Sequence, residues 1–331
     1  MKALVTGATG FIGARMTKYL TDKGYEVYAL VRKNSKLDRL KKLNVYPKLI
    51  YGDITNLDSL NEAVREKDYV FHLAAVINAN RWEDYYWINY QGTKNISIAI
   101  KKNNPNIKRF LYVSSIAASG PSIKGHLKNE NDKCKPINNY GKTKLMGEEA
   151  VKEELKGLPY TIIRPPNVIG PGQQELLQSI TTIESGIMPM LGNGDKQTSI
   201  IHVRDLIRAI TLAAESNASI GKTYFITNGK QYSWRWLAKC IKEALKKHFV
   251  IPLNYPMLIL IAFLISNISK IQGKAPSVSP KRIIQIRKSY WTYDGSCFEK
   301  DLGFKAEVEI CNGIKEAVKD YLQQRITRGK V

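Results

Sequence analysis

Tyr140 and Lys144 stand four residues apart in Tyr140-Gly141-Lys142-Thr143-Lys144, so on a helix both side chains leave from one face. A phenol beside a cation suits general acid–base work, because the cation favours the ionised phenol. The spacing alone selects nothing, since Tyr19…Lys23 and Tyr90…Lys94 repeat it. Context separates them. Only Tyr140 follows, by about 25 residues, a strand-like segment ending in Ser114-Ser115, with a glycine-rich turn at the head of the chain.

That turn is Thr6-Gly7-Ala8-Thr9-Gly10-Phe11-Ile12-Gly13. Leu4, Val5 and their neighbours form the short apolar run of a buried strand, and a helical pattern continues through Arg15–Lys23. Gly7 permits a tight turn, Gly10 lets backbone approach a phosphate, and Gly13 lets the helix pack against the strand. The helix N-terminus offers N–H groups and the positive end of its dipole to the anion. Strand, glycine turn and helix in this order predict a dinucleotide site. The second strand, Tyr25–Val31, ends in Val31-Arg32-Lys33, where an NAD site places an acid for the ribose 2′-hydroxyl. The first acid after it is Asp38. Arg32, helped by Lys33, Ser35 or Lys36, suits a 2′-phosphate and favours NADP over NAD. The alternative is an ordinary solvated basic turn.

The elements that must hold these groups follow in turn. A third strand, Lys48–Tyr51, leads to Gly52-Asp53-Ile54-Thr55, where Asp53 either meets an adenine amino group or caps a helix starting near Leu57. Tyr69–Ala75 reads as a fourth strand, whose small Ala74 and Ala75 let backbone pass close to a cofactor. His72 is given no chemical role. A long helix spans about Trp82–Lys102 and carries Asn89, and a fifth strand runs Arg109–Val113. The alternation argues for a parallel sheet wound on both faces, and no repeat occurs at solenoid periods.

The 331 residues carry a formal charge of +22, from 37 Lys and 14 Arg spread along the chain against 29 acids. Nucleic-acid sites cluster Arg with aromatics in recognisable motifs, and none is present. The balance suits anionic ligands or an anionic membrane surface. Cys134, Cys240, Cys297 and Cys311 show no CxxC and no metal spacing, and are expected to be free, mostly buried thiols in a reducing cytoplasm. The first strand opens the chain, leaving no room for a cleaved signal peptide, so a cytoplasmic protein is expected.

TGATGFIG, GDIT, FHLAA, the serine pair, YGKTK, IRPPNVIGPG and SIIHVRDL together resemble the extended short-chain dehydrogenase/reductase superfamily in order and spacing. The likeness covers about residues 1–228 well and the rest more loosely. YVSSIAASGPS and RPP look most like the 3β-hydroxysteroid dehydrogenase and dihydroflavonol-reductase branch, and are also similar to bacterial NAD-dependent epimerase/dehydratase proteins. The resemblance implies an α/β fold. Residues 1–172 and 198–228 would form a Rossmann-type, doubly wound parallel sheet, and 173–197 with 229–331 a smaller, mostly helical C-terminal substrate lobe. It implies Tyr140 as catalytic acid/base, Lys144 as the group that holds the nicotinamide ribose and lowers the tyrosine pKa, and Ser115 as hydrogen-bonding the reacting oxygen. Cofactor-facing positions would be Gly7, Thr9, Gly10, Phe11, Ile12, Gly13, Arg32, Asp53, Ile54, Leu73, Ala74, Ala75, Asn89, Val113, Tyr140, Lys144, Pro166, Asn167 and Val168. Of these, Asn89 matches a family asparagine that is usually structural. Substrate-facing positions would be Ser115, Ile116, Ala117 and Asn167.

Dehydratases of the superfamily carry Asp-Glu after the active-site Ser/Thr, whereas Ser115 precedes Ile116-Ala117-Ala118. Asn167 sits where nucleotide-sugar epimerases keep an asparagine for substrate. However, Gln197-Thr198-Ser199 stands where those enzymes hold the Arg-Asp whose arginine grips a diphosphate, and Ile169 replaces a common tyrosine. Val250–Ile271 is apolar without a break over Met257–Ile265, but Pro252, Asn254 and Pro256 interrupt its approach, so it is not read as spanning a membrane. It is either a buried helix of the small lobe or a membrane-lying or lipophile-lining helix, flanked by Lys246, Lys247, Lys270, Lys274, Lys281 and Arg282. Ser277–Lys288 reads as helical. Tyr293-Asp294-Gly295-Ser296-Cys297 matches a family segment that usually has Lys at the Cys297 position. A last helix covers about Val308–Gln324. The expectation is an NAD(P)-dependent oxidoreductase acting on a hydroxyl or ketone of a steroid-, isoprenoid- or acyl-like small molecule. A nucleotide-sugar 4-epimerase or 4-reductase is the alternative, and a non-catalytic NADP(H)-binding protein the third reading. Expected contacts are a small-molecule substrate, no nucleic acid, and a peripheral membrane surface through residues 250–272. The helices near Trp82–Lys102 and Tyr140–Lys156 pair into a homodimer in many relatives.

Overall fold

The computed structural model describes residues 1–189, 194–247, 251–253, 255–271 and 290–327. Its strands are β1 (Lys2–Thr6), β2 (Glu26–Val31), β3 (Lys48–Tyr51), β4 (Tyr69–His72), β5 (Arg109–Val113), β6 (Tyr160–Arg164), β7 (Asn167–Ile169), β8 (Ile187–Pro189), β9 (Gln197–His202), β10 (Thr223–Phe225), β11 (Gln231–Ser233) and β12 (Ile251–Leu253). Between them lie α1 (Phe11–Asp22), α2 (Asp38–Lys42), α3 (Asp58–Val64), α4 (Trp82–Tyr85), α5 (Gly92–Asn103), α6 (Ile116–Ser119), α7 (Asn139–Glu154), α8 (Gln174–Glu184), α9 (Val203–Glu215), α10 (Trp234–Ala244) and α11 (Tyr255–Ile271). α12 (Ser296–Leu302) and α13 (Ile310–Thr327) complete the described α-helices.

Seven strands form one parallel sheet in the order β10-β6-β5-β4-β1-β2-β3. Neighbouring residues on a strand face opposite sides of a sheet, and both faces here are covered. Val5, Phe71 and Leu111 pack with Met16 and Leu20 of α1 and Leu206 and Ile210 of α9. Leu4, Val70 and Phe110 pack with Leu60, Ile96, Ile100 and Val151 from α3, α5 and α7. Burial on both faces accounts for the continuous apolar runs read in the sequence. The connections on the two sides of β1 run in opposite directions, which opens a crevice at the carboxyl ends of β1 and β4. The register pairs Thr6 with Leu30 on one side and with His72 on the other, so β1 and β4 end together and β2 runs one residue further.

A separate core joins β7 and β9 to α8, α10 and α13 through Ile180, Ile200, Leu237, Ile241, Ile314 and Val318. Residues 290–294 tie it to the loop before α7. Ser122 bridges to Tyr290, Lys128 to Tyr293, and Thr198 to Trp291.

Three expectations change. The long helix from Trp82 is interrupted by a π-helical stretch, Tyr86–Gln91, of the kind that recurs at functional sites. One thiol, Cys240, is buried, whereas Cys134, Cys297 and Cys311 are partly exposed, so the cysteines are not mostly buried. The buried-helix reading of Val250–Ile271 also fails. In α11 only Ala262 among the described side chains is buried, because the adjoining core is closed by α8, α10 and α13 without it. No helix among the described residues is long and apolar enough to cross a membrane. The segment Ser277–Lys288, read as helical, lies outside the described residues.

Candidate active site

α7 starts where it does because the Asn138 side chain caps it, accepting from the Gly141 N–H at 2.8 Å. A Cβ on Gly141 would lie 2.2 Å from the Ala117 carbonyl oxygen, so only glycine lets α7 approach α6 this closely. That approach brings Tyr140 to Ser115. Ser115 caps α6 by accepting from the Ala117 N–H at 3.1 Å, and it is the neighbouring hydroxyl that acts on the Tyr140 phenol. Burial pushes the phenol up to about 12 while the Ser115 bond pulls it down, so Tyr140 is a proton donor at neutral pH. One turn on, Lys144 is 1% exposed, donates to the Val113 carbonyl at 2.8 Å and lies 4.1 Å over the Tyr112 ring. Burial lowers its ammonium to about 7 against the pull of Glu148.

A buried network behind the site was not singled out from sequence. Arg164 donates to both carboxylate oxygens of Glu148, at 2.9 and 2.6 Å, and Ser114 donates to the same carboxylate at 2.5 Å. The second guanidinium nitrogen also meets Cys134 Sγ at 3.2 Å. A bidentate pair of this kind fixes both partners geometrically. It ties the end of β6 to the face of α7 that carries Lys144, and to the residue next to Ser115. The available signal was the helical spacing, since Glu148 continues the i, i+4 ladder of Tyr140 and Lys144.

The crevice itself is built by close backbone approach. A Cβ on Gly13 would sit 2.0 Å from the Gly7 carbonyl oxygen. One on Gly7, whose φ is +70°, would sit 2.8 Å from the Ala74 nitrogen. Leu73 and Ala74 thus run directly beside the turn, with Ala75 following. The Thr6 hydroxyl accepts from the Ala74 N–H at 3.2 Å and meets His72 Nδ1 at 2.7 Å. His72 Nε2 meets Thr93 at 3.0 Å, so both ring nitrogens are satisfied inside the fold. α1 has no side-chain cap, which leaves the leading N–H groups around Phe11 and Ile12 to an anion. The strand-turn-helix cradle and its uncapped helix end fit a dinucleotide pyrophosphate.

Asn89 is buried with its amide fully engaged. Its Oδ1 accepts from the Val76 N–H at 2.9 Å, and its Nδ2 donates to the Val76 carbonyl at 3.0 Å and to Thr143 at 3.2 Å. It ties the loop after β4 to α7. At the far end Arg32 and Lys33 are exposed after β2, and Ser35 accepts from the Arg32 N–H. Arg39 donates to the Thr9 carbonyl at 3.3 Å, bringing a second guanidinium to the glycine turn. Its signal was a basic residue in the first helix after β2. Asp53 accepts from the Thr55 N–H and hydroxyl, both at 2.9 Å, and α3 has no side-chain cap, so the helix-cap alternative for Asp53 is set aside. Ile54 packs over Gly92.

Next to Ser115, Ile116 is buried among Phe225, Tyr293 and Trp291, so its side chain packs inward. Ala117 stays partly exposed. Pro166 is buried and Val168 half-buried, whereas Asn167 is exposed and donates to the Thr198 hydroxyl at 2.8 Å. Within the Gln197-Thr198-Ser199 stretch, Thr198 thus presents a neutral hydroxyl already paired with Asn167.

The family model for the NAD dependent epimerase/dehydratase family matches residues 3–227. Among curated proteins, the chain is 28% identical to an N-acetyl-alpha-D-glucosaminyl-diphospho-ditrans,octacis-undecaprenol 4-epimerase of Escherichia coli O157:H7, over 85% of this chain and 83% of that one. It is 25% identical to a decarboxylating sterol-4-alpha-carboxylate 3-dehydrogenase of Mus musculus, over 97% and 91%. A UDP-glucose 4-epimerase from Thermotoga maritima, solved with UDP-glucose, shares the fold with a TM-score of 0.79 at 22% identity, over 98% of this chain and 100% of that one.

Proposed function

Because the chain belongs to the NAD dependent epimerase/dehydratase family, we propose that it is an NAD(P)-dependent oxidoreductase moving a hydride at a hydroxyl or ketone carbon of a lipophilic or lipid-linked small molecule. One observation carries the chemistry. The close approach of Gly141 to Ala117 sets the Tyr140 end of α7 against α6 and its cap Ser115, just past the carboxyl end of β5, with buried Lys144 one turn further along α7. When bound, the nicotinamide accepts or supplies the hydride. Tyr140 Oη passes the proton to or from the substrate oxygen, Ser115 orients that oxygen, and Lys144 supplies cationic charge from its anchor on Val113. Gly7, Gly10 and Gly13 would hold the pyrophosphate. Arg32, with Arg39 near, would meet a 2′-phosphate and favour NADP.

The lipophilic substrate class rests on Thr198 standing in place of a charged clamp and on the apolar surface of α11. The name of the sterol dehydrogenase points the same way, whereas that of the undecaprenol 4-epimerase joins a lipid tail to a diphospho-sugar and so bears on both readings. Asn167 favours a second reading, sugar 4-epimerisation. The two differ in net redox change. With NADP⁺ or NAD⁺ and a panel of sterols, isoprenols and acyl alcohols, nicotinamide absorbance should rise with one class. Interconversion of 4-hydroxyl epimers of a nucleotide sugar, with no net cofactor reduction, would replace this reading by the second.

A further inference from the structure

α11 turns its hydrophobic side outward. Leu260 is 58% exposed, Phe263 55%, Leu264 52% and Ile268 55%, with Ile261 beside them. At 100° per residue these five positions fall within one arc of about 160°, a continuous strip along the helix. The opposite side, at Ala262, is buried. Contiguous exposed apolar surface of this kind marks an interaction site. The strip is too short to cross a bilayer, since 17 residues rise about 25 Å against a hydrocarbon core of about 30 Å.

The charge of the sequence on either side of the helix selects the partner. Between Glu243 and Asp294 the sequence contains no acidic residue and eight basic ones. Lys246 and Lys247, which precede the helix, are exposed. A second copy of this chain, with its +22 charge, would bring like charge against like. A surface of anionic lipid offers the complement to both features, an acyl boundary for the apolar strip and phosphates for the lysines.

We propose that α11 lies in the plane of an anionic lipid bilayer surface and docks the enzyme there, its Leu260–Leu264–Ile268 strip in the headgroup–acyl boundary. The inference is independent of the substrate reading, because its test measures no turnover. The full chain is co-sedimented with vesicles of phosphatidylcholine alone and of phosphatidylcholine with phosphatidylglycerol. The expected result is binding to the anionic vesicles that falls severalfold as salt rises from about 0.1 to about 0.5 M, where screening shortens the reach of the lysines. Leu260→Glu with Leu264→Glu should lower the bound fraction about tenfold or more by placing charge in the boundary. Tyr46→Glu, at an exposed site elsewhere, should leave binding unchanged. The thermal midpoint of the double variant reports whether it is folded. Equal binding by the folded double variant, or no binding of the wild type to anionic vesicles, overturns the proposal. Self-association that the double substitution abolishes, without vesicle binding, would also overturn it and identify a second copy as the occupant.

Discussion

Helices α7 and α11 are 16 and 17 residues long and treat their surroundings in opposite ways. α7 buries charged and polar side chains, Lys144, Glu148 and Thr143, and every one has a named partner. α11 exposes apolar ones. The first arrangement costs desolvation and gives a fixed geometry in return, which is useful where a proton must move between defined atoms. The second forgoes the burial of about five large side chains, each worth roughly 1.5–3 kcal/mol if covered. A surface kept in that state has its use outside the chain.

Substitutions can sharpen or break that contrast. Tyr140→Phe should lower hydride transfer by about 10² to 10⁴-fold while leaving cofactor affinity near wild type, as measured by turnover beside fluorescence titration. Normal turnover would remove α7 from the chemistry. Glu148→Ala leaves the Arg164 guanidinium buried and uncompensated, so denaturant unfolding should show a loss of about 3–5 kcal/mol. A loss under about 1 kcal/mol would mean that the network is wet or dispensable.

A third test uses pH. Lys144 titrates near 7 in the fold against 10.5 in the unfolded chain. Between those values the unfolded state binds the extra proton, so stability rises with pH across that window. Below it the lysine is protonated in both states and its burial cost is fully felt. Lys144→Met should therefore be most favoured relative to wild type below pH 7, with the difference shrinking toward 10.5. A pH-independent difference between the two chains would contradict the burial argument. At the small end, Leu260→Ser on α11 should change stability by no more than about 0.5 kcal/mol, as for an ordinary surface site. A large loss would show that the strip is covered within this chain.

The same contrast explains what could be read from the sequence. The strands and the glycine cradle were legible because period, turn chemistry and order all pointed one way, and β3 and β5 fall on the expected residues. Ser115, Tyr140 and Lys144 come together because the Gly141 approach needed no unusual residue to announce it beyond the glycine itself. Glu148 and Arg164 were missed because a charged helix position reads as solvated until the strand end opposite it is known. The burial of the Ile116 side chain was not legible either, because one residue's shift around a single-turn helix exchanges cleft for core. The π-helical stretch at Tyr86–Gln91 left no mark in a periodicity that it merely offsets by one residue. α11 could not be settled, since an apolar run looks alike whether a core or a bilayer receives it.

The most direct test of the account is thermal unfolding of the full chain with NADPH, NADH, UDP and dTDP, singly and with cofactor present. A ligand that binds only the native state raises its stability by mass action, about 2.7 kcal/mol at a hundredfold excess over Kd. The account predicts the largest rise with NADPH, through Arg32 and the glycine cradle, and no further rise with UDP or dTDP, because Thr198 offers their diphosphates no charge. Stabilisation by UDP or dTDP beyond that of cofactor alone would contradict it and make Asn167 the residue that defines the substrate.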